Sequence, residues 1–165
     1  MSNPSTNLGL FFSNLALNNE RLALIGESFE KSFSFNQLEE CSNQISHFLF
    51  DLGIRSGDRI VIFHEKDFIS FSIMIACLKI GAAYINLDLK MPKINLINTI
   101  NKCDPRIIFV SFDYEFNLIN KNIKLIDQNS TIFNKKISSK PITFHEYNCF
   151  VDNNSIAYIM FTSGS

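Results

Sequence analysis

The sequence predicts an α/β fold, with a mainly parallel sheet flanked by helices. Short apolar strands alternate with helical patterns between residues 59 and 110, in the order strand, helix, strand, helix, strand. Glycine or an Asp-Pro pair stands where each helical pattern stops. Hydrophobic residues make up 46% of the 165 residues and charged residues 19%, which is a globular balance. Such alternation favours a parallel sheet with right-handed crossovers.

The first elements precede this alternation. Residues 7–17 carry Leu8, Phe11, Phe12 and Leu15 at the spacing of a short amphipathic helix. Residues 22–25 and 31–34 then flank a turn-like Gly-Glu-Ser, which predicts a β-hairpin.

The next helix has the clearest boundaries. Ser34 and Gln37 fit a capping box, in which a hydroxyl and an amide satisfy backbone N–H groups that are otherwise unpaired. Apolar residues then repeat at helical spacing as far as Leu52, and Gly53 provides a stop.

The alternating elements follow in order. Residues 59–63 form an apolar strand, and Asp67 caps a helix that runs to residue 79 or 80, before Gly81. Residues 82–87 are the next strand. Pro92 fits the first turn of a helix over residues 92–102, which the Asp-Pro pair at 104–105 ends. Residues 106–110 are a further strand.

The last third of the chain gives weaker signals. Residues 123–126 are a candidate strand, and the rest of residues 111–154 is interpreted as loops. Residues 156–161 predict a final buried strand that leads directly into Thr162, Ser163, Gly164 and Ser165.

Composition excludes several classes of function. The net charge is −1 and the basic residues are dispersed, so no nucleic-acid partner is expected. Four separated cysteines form no CxxC pair, which favours reduced thiols in a cytoplasmic protein and gives no metal site. Residues 68–87 approach the length of a membrane span, but Lys79 and Gly81 interrupt them, and a buried helix followed by a strand is the better interpretation.

Candidate site residues come from the ends of strands, where ligands gather in open α/β sheets. Hydroxyls and small residues after a strand can close around phosphate, which makes Thr162, Ser163, Gly164 and Ser165 a candidate phosphate loop. A polar chain end without a ligand is the alternative. His64 ends a strand and is either a strand-end residue or one that faces a substrate, whereas His47 is expected to be partly buried on its helix.

Several segments, in order, resemble signatures of the adenylate-forming superfamily. Residues 34–38, Ser-Phe-Asn-Gln-Leu, are similar to the Thr-Tyr-x-Glu-Leu segment of that family, and residues 53–60 resemble the turn that contains its Gly-Asp-Arg-Val. Residues 78–88 resemble Leu-Lys-Ala-Gly-x-Ala-Tyr-Val-Pro-Ile-Asp. Residues 156–165 resemble the opening half of the family's phosphate loop, which continues Thr-Gly-x-Pro-Lys-Gly.

The resemblance implies that residues 1–165 are an incomplete N-terminal region of an AMP-binding (adenylation) domain, ending inside the phosphate loop. The complete enzyme would use ATP and Mg²⁺ to activate a carboxylic acid as an acyl-adenylate, and would pass it to a CoA or phosphopantetheine thiol, in some members on a carrier protein. Thr162, Ser163, Gly164 and Ser165 would contact phosphate.

The resemblance also limits what this chain does alone. No catalytic residue falls within it, so the isolated chain is expected to be inactive. The Ala-Tyr pairs at 83–84 and 157–158 favour amino-acid activation as in nonribosomal peptide synthetases, although Asn86 stands where proline is usual. Two alternatives stay open, namely a non-catalytic remnant or interaction module derived from such an enzyme, and an unrelated small nucleotide-binding domain.

Overall fold

The computed structural model describes residues 7–26, 31–110, 122–144, 151 and 154–161. These residues form helices and strands in the predicted alternation. The helices are α1 (Leu8–Ala16), α2 (Phe35–Asp51), α3 (Phe68–Ile80), α4 (Lys93–Cys103) and α5 (Thr131–Ser138). The strands are β1 (Leu22–Leu24), β2 (Phe33–Ser34), β3 (Arg59–Phe63), β4 (Ala83–Asn86), β5 (Ile107–Val110) and β6 (Lys124–Asp127).

The central sheet is parallel, which confirms the predicted fold class. Its strand order is β4-β3-β5-β6, so β3 lies between β4 and β5. β1 and β2 pair antiparallel as a separate two-stranded sheet, as the hairpin prediction required. Gly26 is the only residue of the predicted turn among those described.

Both faces of the parallel sheet are covered at β3 and β5, whose apolar residues point alternately to opposite sides and are all buried. One face packs against α2, α3 and α5 through Ile60, Ile62, Ile107, Phe109 and Ile126. The other face packs against α4 through a second group of buried side chains, which includes Val61, Phe63, Ile85, Ile108 and Val110. The result is a three-layer arrangement, with helices on both sides of the sheet.

α2 begins at the predicted capping box. The Ser34 hydroxyl accepts a hydrogen bond from the Gln37 N–H at 3.2 Å, and the Gln37 Oε1 accepts one from the Ser34 N–H at 2.8 Å. Both bonds satisfy donors that a helix terminus would leave unpaired.

Ser34→Ala is expected to lower the free energy of unfolding by about 1 kcal/mol, because it leaves the Gln37 N–H without its acceptor. The measurement is urea denaturation followed by circular dichroism. Ser139→Ala is the control, since Ser139 is exposed and its hydroxyl bonds only the Lys136 carbonyl among the described residues. Equal stability of the two variants would contradict the role of the capping box.

The other helix boundaries follow the predicted signals, with one small shift. Asp67 caps α3 by accepting from the Ser70 N–H at 2.8 Å, and Gly81 ends it with φ +76°. Asp104, at φ +44°, ends α4 just before Pro105. Pro92 is the N-cap of α4 and directly precedes its first turn, one position earlier than the sequence predicted.

The prediction of loops after residue 126 was wrong for residues 131–138, which form α5. Ser130 caps this helix, and its hydroxyl accepts from the Phe133 N–H at 3.1 Å. Phe133 packs edge-on against Phe48 at 5.4 Å and Phe109 at 5.8 Å between ring centroids. An eight-residue helix with two inward residues, Phe133 and Ile137, has a short periodic signal, and tertiary packing stabilises it.

The expectation of a buried strand at residues 156–161 was also wrong. The segment makes a single parallel bridge, between Tyr158 and Tyr84, and Ile156 and Met160 are 62% and 75% exposed. Apolar residues at an edge position need a further layer to bury them, and the described residues provide none on that side.

A buried polar network joins α1, α2, α3 and residue 142. The Lys79 ammonium, 1% exposed, donates to Glu39 Oε2 and Ser42 Oγ at 2.8 Å and to Asn43 Oδ1 at 2.5 Å. The Asn43 Nδ2 donates to the Ile142 carbonyl at 2.7 Å, and the Asn7 Nδ2 donates to the Lys79 carbonyl at 3.0 Å. Burial lowers the pKa of Lys79 to about 8, against the opposing attraction of Glu39.

The cysteines within the described residues are reduced and buried. Cys41, Cys77 and Cys103 are buried free thiols, and Cys149 lies outside the described residues. Burial raises the pKa of each of these three thiols above its ordinary value.

In the part of the chain that the structure describes, no helix combines the length and apolarity needed to cross a bilayer.

Candidate functional site

The candidate site lies at the carboxyl edge of the parallel sheet. Because β3 and β4 are parallel, the residues that follow Phe63 and Asn86 reach the same edge. A cleft of about 510 Å³ opens there. Its walls combine apolar and polar side chains from both strand ends and from α3: Ile62, His64, Glu65, Lys66, Ser70, Met74, Asn86, Leu87, Asp88, Leu89 and Lys90.

The His64 side chain contacts three neighbouring groups at this edge. Its Nδ1 lies 2.8 Å from the Glu65 carbonyl oxygen, 3.3 Å from Ser70 Oγ and 3.5 Å from Asp67 Oδ2. A carbonyl oxygen can only accept a hydrogen bond, so we assign a proton to Nδ1. Nε2 is enclosed and has no hydrogen-bond partner among the described residues.

This arrangement is not a catalytic triad. In a serine–histidine–aspartate relay the hydroxyl and the carboxylate bind opposite ring nitrogens. Here Ser70 and Asp67 both approach Nδ1, and the Ser70 hydroxyl lies 2.6 Å from the Glu65 carbonyl and 2.8 Å from Asp67 Oδ1. Ser70 is therefore a helix-start residue, and His64 lines the cleft while its substrate-facing role stays a prediction.

Gln128 is a residue that sequence reasoning missed. It follows β6, is 1% exposed, and its Nε2 lies 3.5 Å from Asp67 Oδ1. Its Oε1 is buried without a partner in the described part of the chain, like His64 Nε2. The Gln128 Oε1 can only accept a hydrogen bond, and buried water commonly donates to such an atom. One glutamine after a weakly predicted strand gives no sequence signal for this.

The charges of the cleft are mixed. Lys66 and Lys90 stand beside Glu65 and Asp88, and neither lysine has an ion-pair partner among the described residues. Asp88 accepts from the Lys90 N–H at 2.8 Å, which makes it a turn residue.

His47 lies away from this edge on α2, half-buried, with Nε2 2.9 Å from the Thr143 carbonyl.

The chain that precedes the candidate phosphate loop runs beside β4. The Tyr84 N–H donates to the Ala157 carbonyl at 3.3 Å, and the Ile159 N–H donates to the Tyr84 carbonyl at 3.0 Å. Since this pairing is parallel, residues 159–161 continue toward the carboxyl edge. Thr162, Ser163, Gly164 and Ser165 themselves lie outside the described residues, as does the His-Glu pair at 145–146.

No metal site is evident among the residues for which the structure gives positions. They contain no group of three or more His, Cys, Asp or Glu side chains arranged to hold an ion. We therefore assign no ligand for Mg²⁺ to any of them.

A parallel α/β sheet with a ligand-sized cleft at its carboxyl edge is the architecture of many nucleotide-binding proteins. A sequence model of the family described as AMP-binding enzyme matches residues 11–165. The chain belongs to this family.

Two similar sequences belong to much longer proteins. The chain is 28% identical over 141 residues to the NRPS-like tryptophan epimerase of Fusarium equiseti, covering 84% of this chain and 9% of that protein. It is 28% identical over 146 residues to bacitracin synthase 1 of Bacillus licheniformis, covering 88% of this chain and 2% of that protein. The chain thus spans less than a tenth of the length of these curated relatives.

Solved structures share the fold at low identity. The N-terminal subdomain of Klebsiella oxytoca NpsA superposes with a TM-score of 0.78 at 17% identity, covering 96% of this chain and 39% of that one. A fatty acyl CoA synthetase of Mycobacterium tuberculosis gives 0.74 at 16% identity, covering 95% and 32%. At these identities the comparison establishes the fold, which agrees with the α/β prediction.

Proposed function

We propose that this chain is part of an ATP-dependent ligase that activates a carboxylate as an acyl-adenylate and transfers the acyl group to a thiol. Its contribution is the start of the phosphate loop, with Thr162, Ser163, Gly164 and Ser165 as phosphate contacts. One observation carries the proposal: the parallel bridge at Tyr84 directs residues 159–161 toward the sheet edge that holds the cleft.

The residue types of the loop suit this role. Hydroxyls of Thr162, Ser163 and Ser165 can donate to phosphate oxygens, and Gly164 lets backbone N–H groups approach an anion closely. The loop would hold the phosphates of ATP that leave as pyrophosphate. Mg²⁺ would neutralise phosphate charge in the complete enzyme.

The substrate proposal is an amino acid or another acyl acid. The similarity to bacitracin synthase 1 supports the amino-acid class, with a carrier-protein phosphopantetheine thiol as acceptor. The similarity in fold to a fatty acyl CoA synthetase leaves CoA as the other acceptor. We propose that the chain acts in the cytoplasm and that residues 1–165 form an incomplete N-terminal region of the adenylation domain.

The experiment is a titration of the ¹⁵N-labelled chain with inorganic pyrophosphate, followed by NMR. We expect the amide signals of residues 162–165 to shift, and Ser163→Ala to weaken binding on the order of tenfold, because one hydrogen bond to a charged group is lost. Ser139→Ala, just past the end of α5 and exposed, is the matched control and should bind as the unsubstituted chain does.

Two outcomes would contradict the proposal. If pyrophosphate shifts none of the four signals, the phosphate role is wrong and a non-catalytic module becomes the better explanation. If the chain alone catalyses ATP–pyrophosphate exchange with any carboxylic acid, the catalytic groups lie within residues 1–165, against our assignment.

A further inference from the structure

The segment 156–161 is joined to the sheet through one residue of β4. Tyr84 uses its N–H to bind the Ala157 carbonyl at 3.3 Å and its carbonyl to bind the Ile159 N–H at 3.0 Å. This is the pairing pattern of a parallel ladder limited to one position. Both backbone groups of Tyr84 on the outer side of β4 are therefore used to hold this segment.

The side chains of the bridged residues also meet. The rings of Tyr84 and Tyr158 stack with centroids 5.8 Å apart and an angle of 26° between their planes. Offset stacking at this distance is an attractive geometry for aromatic pairs. The Tyr84 ring also packs against the cluster that α2 and α3 form with the sheet, which fixes it from the other side.

Burial gives the segment little other support. Ile156, Tyr158 and Met160 are 62%, 51% and 75% exposed. Ile159 is the exception, since it packs against the second buried cluster on the opposite face. Tyr158 and Ile159 thus hold the two faces of the segment, and Tyr84 supplies one of these two contacts together with both hydrogen bonds.

We propose that Tyr84 is a positioning residue for the phosphate loop, because its ring and backbone fix the register of residues 157–159 and so the place where the chain leaves the sheet toward Thr162. The inference rests on the proposed function of that loop. A slip by one residue in a strand moves every side chain to the other face. With one bridge, two side-chain contacts distinguish the correct register from its neighbours, namely the Tyr84–Tyr158 stack and the packing of Ile159, and Tyr84 supplies the first of them.

The test is amide hydrogen exchange of the whole 165-residue chain without nucleotide. Tyr84→Leu removes the stack and keeps an apolar side chain, and we expect the Ile159 amide to exchange about tenfold faster because local opening becomes easier. Tyr84→Phe keeps the ring and should preserve protection within about twofold. Tyr158→Ser removes the stack from the exposed side and should act like Tyr84→Leu. The Ile108 amide, in the central strand β5, reports global opening and should stay unchanged in Tyr158→Ser.

Ile159 protection that remains within about twofold in both Tyr158→Ser and Tyr84→Leu would overturn the inference. Equal acceleration at Ile159 and Ile108 in all three variants would also overturn it, because that result describes general destabilisation. Pyrophosphate titration of Tyr84→Leu and Tyr84→Phe completes the test, with weakened binding expected for leucine alone. Failure of pyrophosphate to bind any form rejects the proposed function, whereas equal binding by all forms rejects the positioning role.

Discussion

Lys79→Met is expected to lower the free energy of unfolding by about 3–5 kcal/mol, the cost typical of breaking a buried ion pair by removing one partner. The substitution takes away the donor that Glu39, Ser42 and Asn43 share, and leaves the Glu39 carboxylate enclosed with the Asn43 Nδ2 as its neighbour. Urea denaturation monitored by circular dichroism measures the loss.

A double variant separates the pair from its surroundings. Replacing Glu39 together with Lys79 by methionine removes both charges, and apolar replacements of buried pairs are often neutral or favourable. We therefore expect the double variant to be more stable than Lys79→Met. Strict additivity of the losses measured for Lys79→Met and for Glu39→Met alone would show that the pair is not coupled.

The pH dependence of stability gives a second measure of the same network. The pKa of Lys79 in the folded chain is about 8, below the value of about 10.4 expected when unfolded. Between these values the unfolded chain binds more protons at this site, so this residue makes the free energy of unfolding rise with pH. From about pH 8 to about pH 10 the stability of the natural chain should therefore gain about 2 kcal/mol relative to Lys79→Met. A gap between the two that stays constant across this range would contradict the lowered pKa.

Gly81→Ala is the second large effect. Gly81 has φ +76°, and a Cβ there would lie 2.7 Å from Ser56 Oγ and from Val151 Cγ2. The backbone strain costs about 1–3 kcal/mol, and the overpacking adds about 1–3 kcal/mol.

Gly57→Ala provides the matched control. Gly57 has φ +86°, but no described atom outside its immediate chain neighbours lies within 4 Å of the place that a Cβ would occupy, so alanine there meets strain without a clash. Urea denaturation should rank Gly81→Ala as clearly less stable than Gly57→Ala. Equal losses would mean that the neighbours of Gly81 move aside at no cost.

The sequence was sufficient for elements whose boundaries have local chemical signals. The Ser34 and Gln37 capping box, the Asp67 cap and the Gly81 stop each act within one turn, so the bounds of α2 and α3 could be predicted closely. The apolar runs of β3 and β5 are continuous because both sheet faces are covered, which also made their type predictable.

Features that depend on distant contacts could not be predicted. α5 is short and is held by the packing of Phe133 on Phe48 and Phe109. Lys79 signalled only an interruption of an apolar run, because its partner Glu39 lies 40 positions earlier. At the candidate site, His64 was noticed as a strand-end residue, but the cleft and Gln128 follow from the strand order, which no local pattern contains.

The strand order has a consequence for how the chain is made. β3 gains β4 on one side after residue 86, but its other neighbour, β5, is complete only at residue 110. During synthesis, the edge of β3 that will face β5 is therefore unpaired while 24 further residues emerge, from 87 to 110. Each parallel ladder also closes a long loop of chain, which slows folding and lengthens the exposure of unpaired edges. The nascent chain thus carries one unpaired edge of β3, which is open to aggregation, until β5 docks.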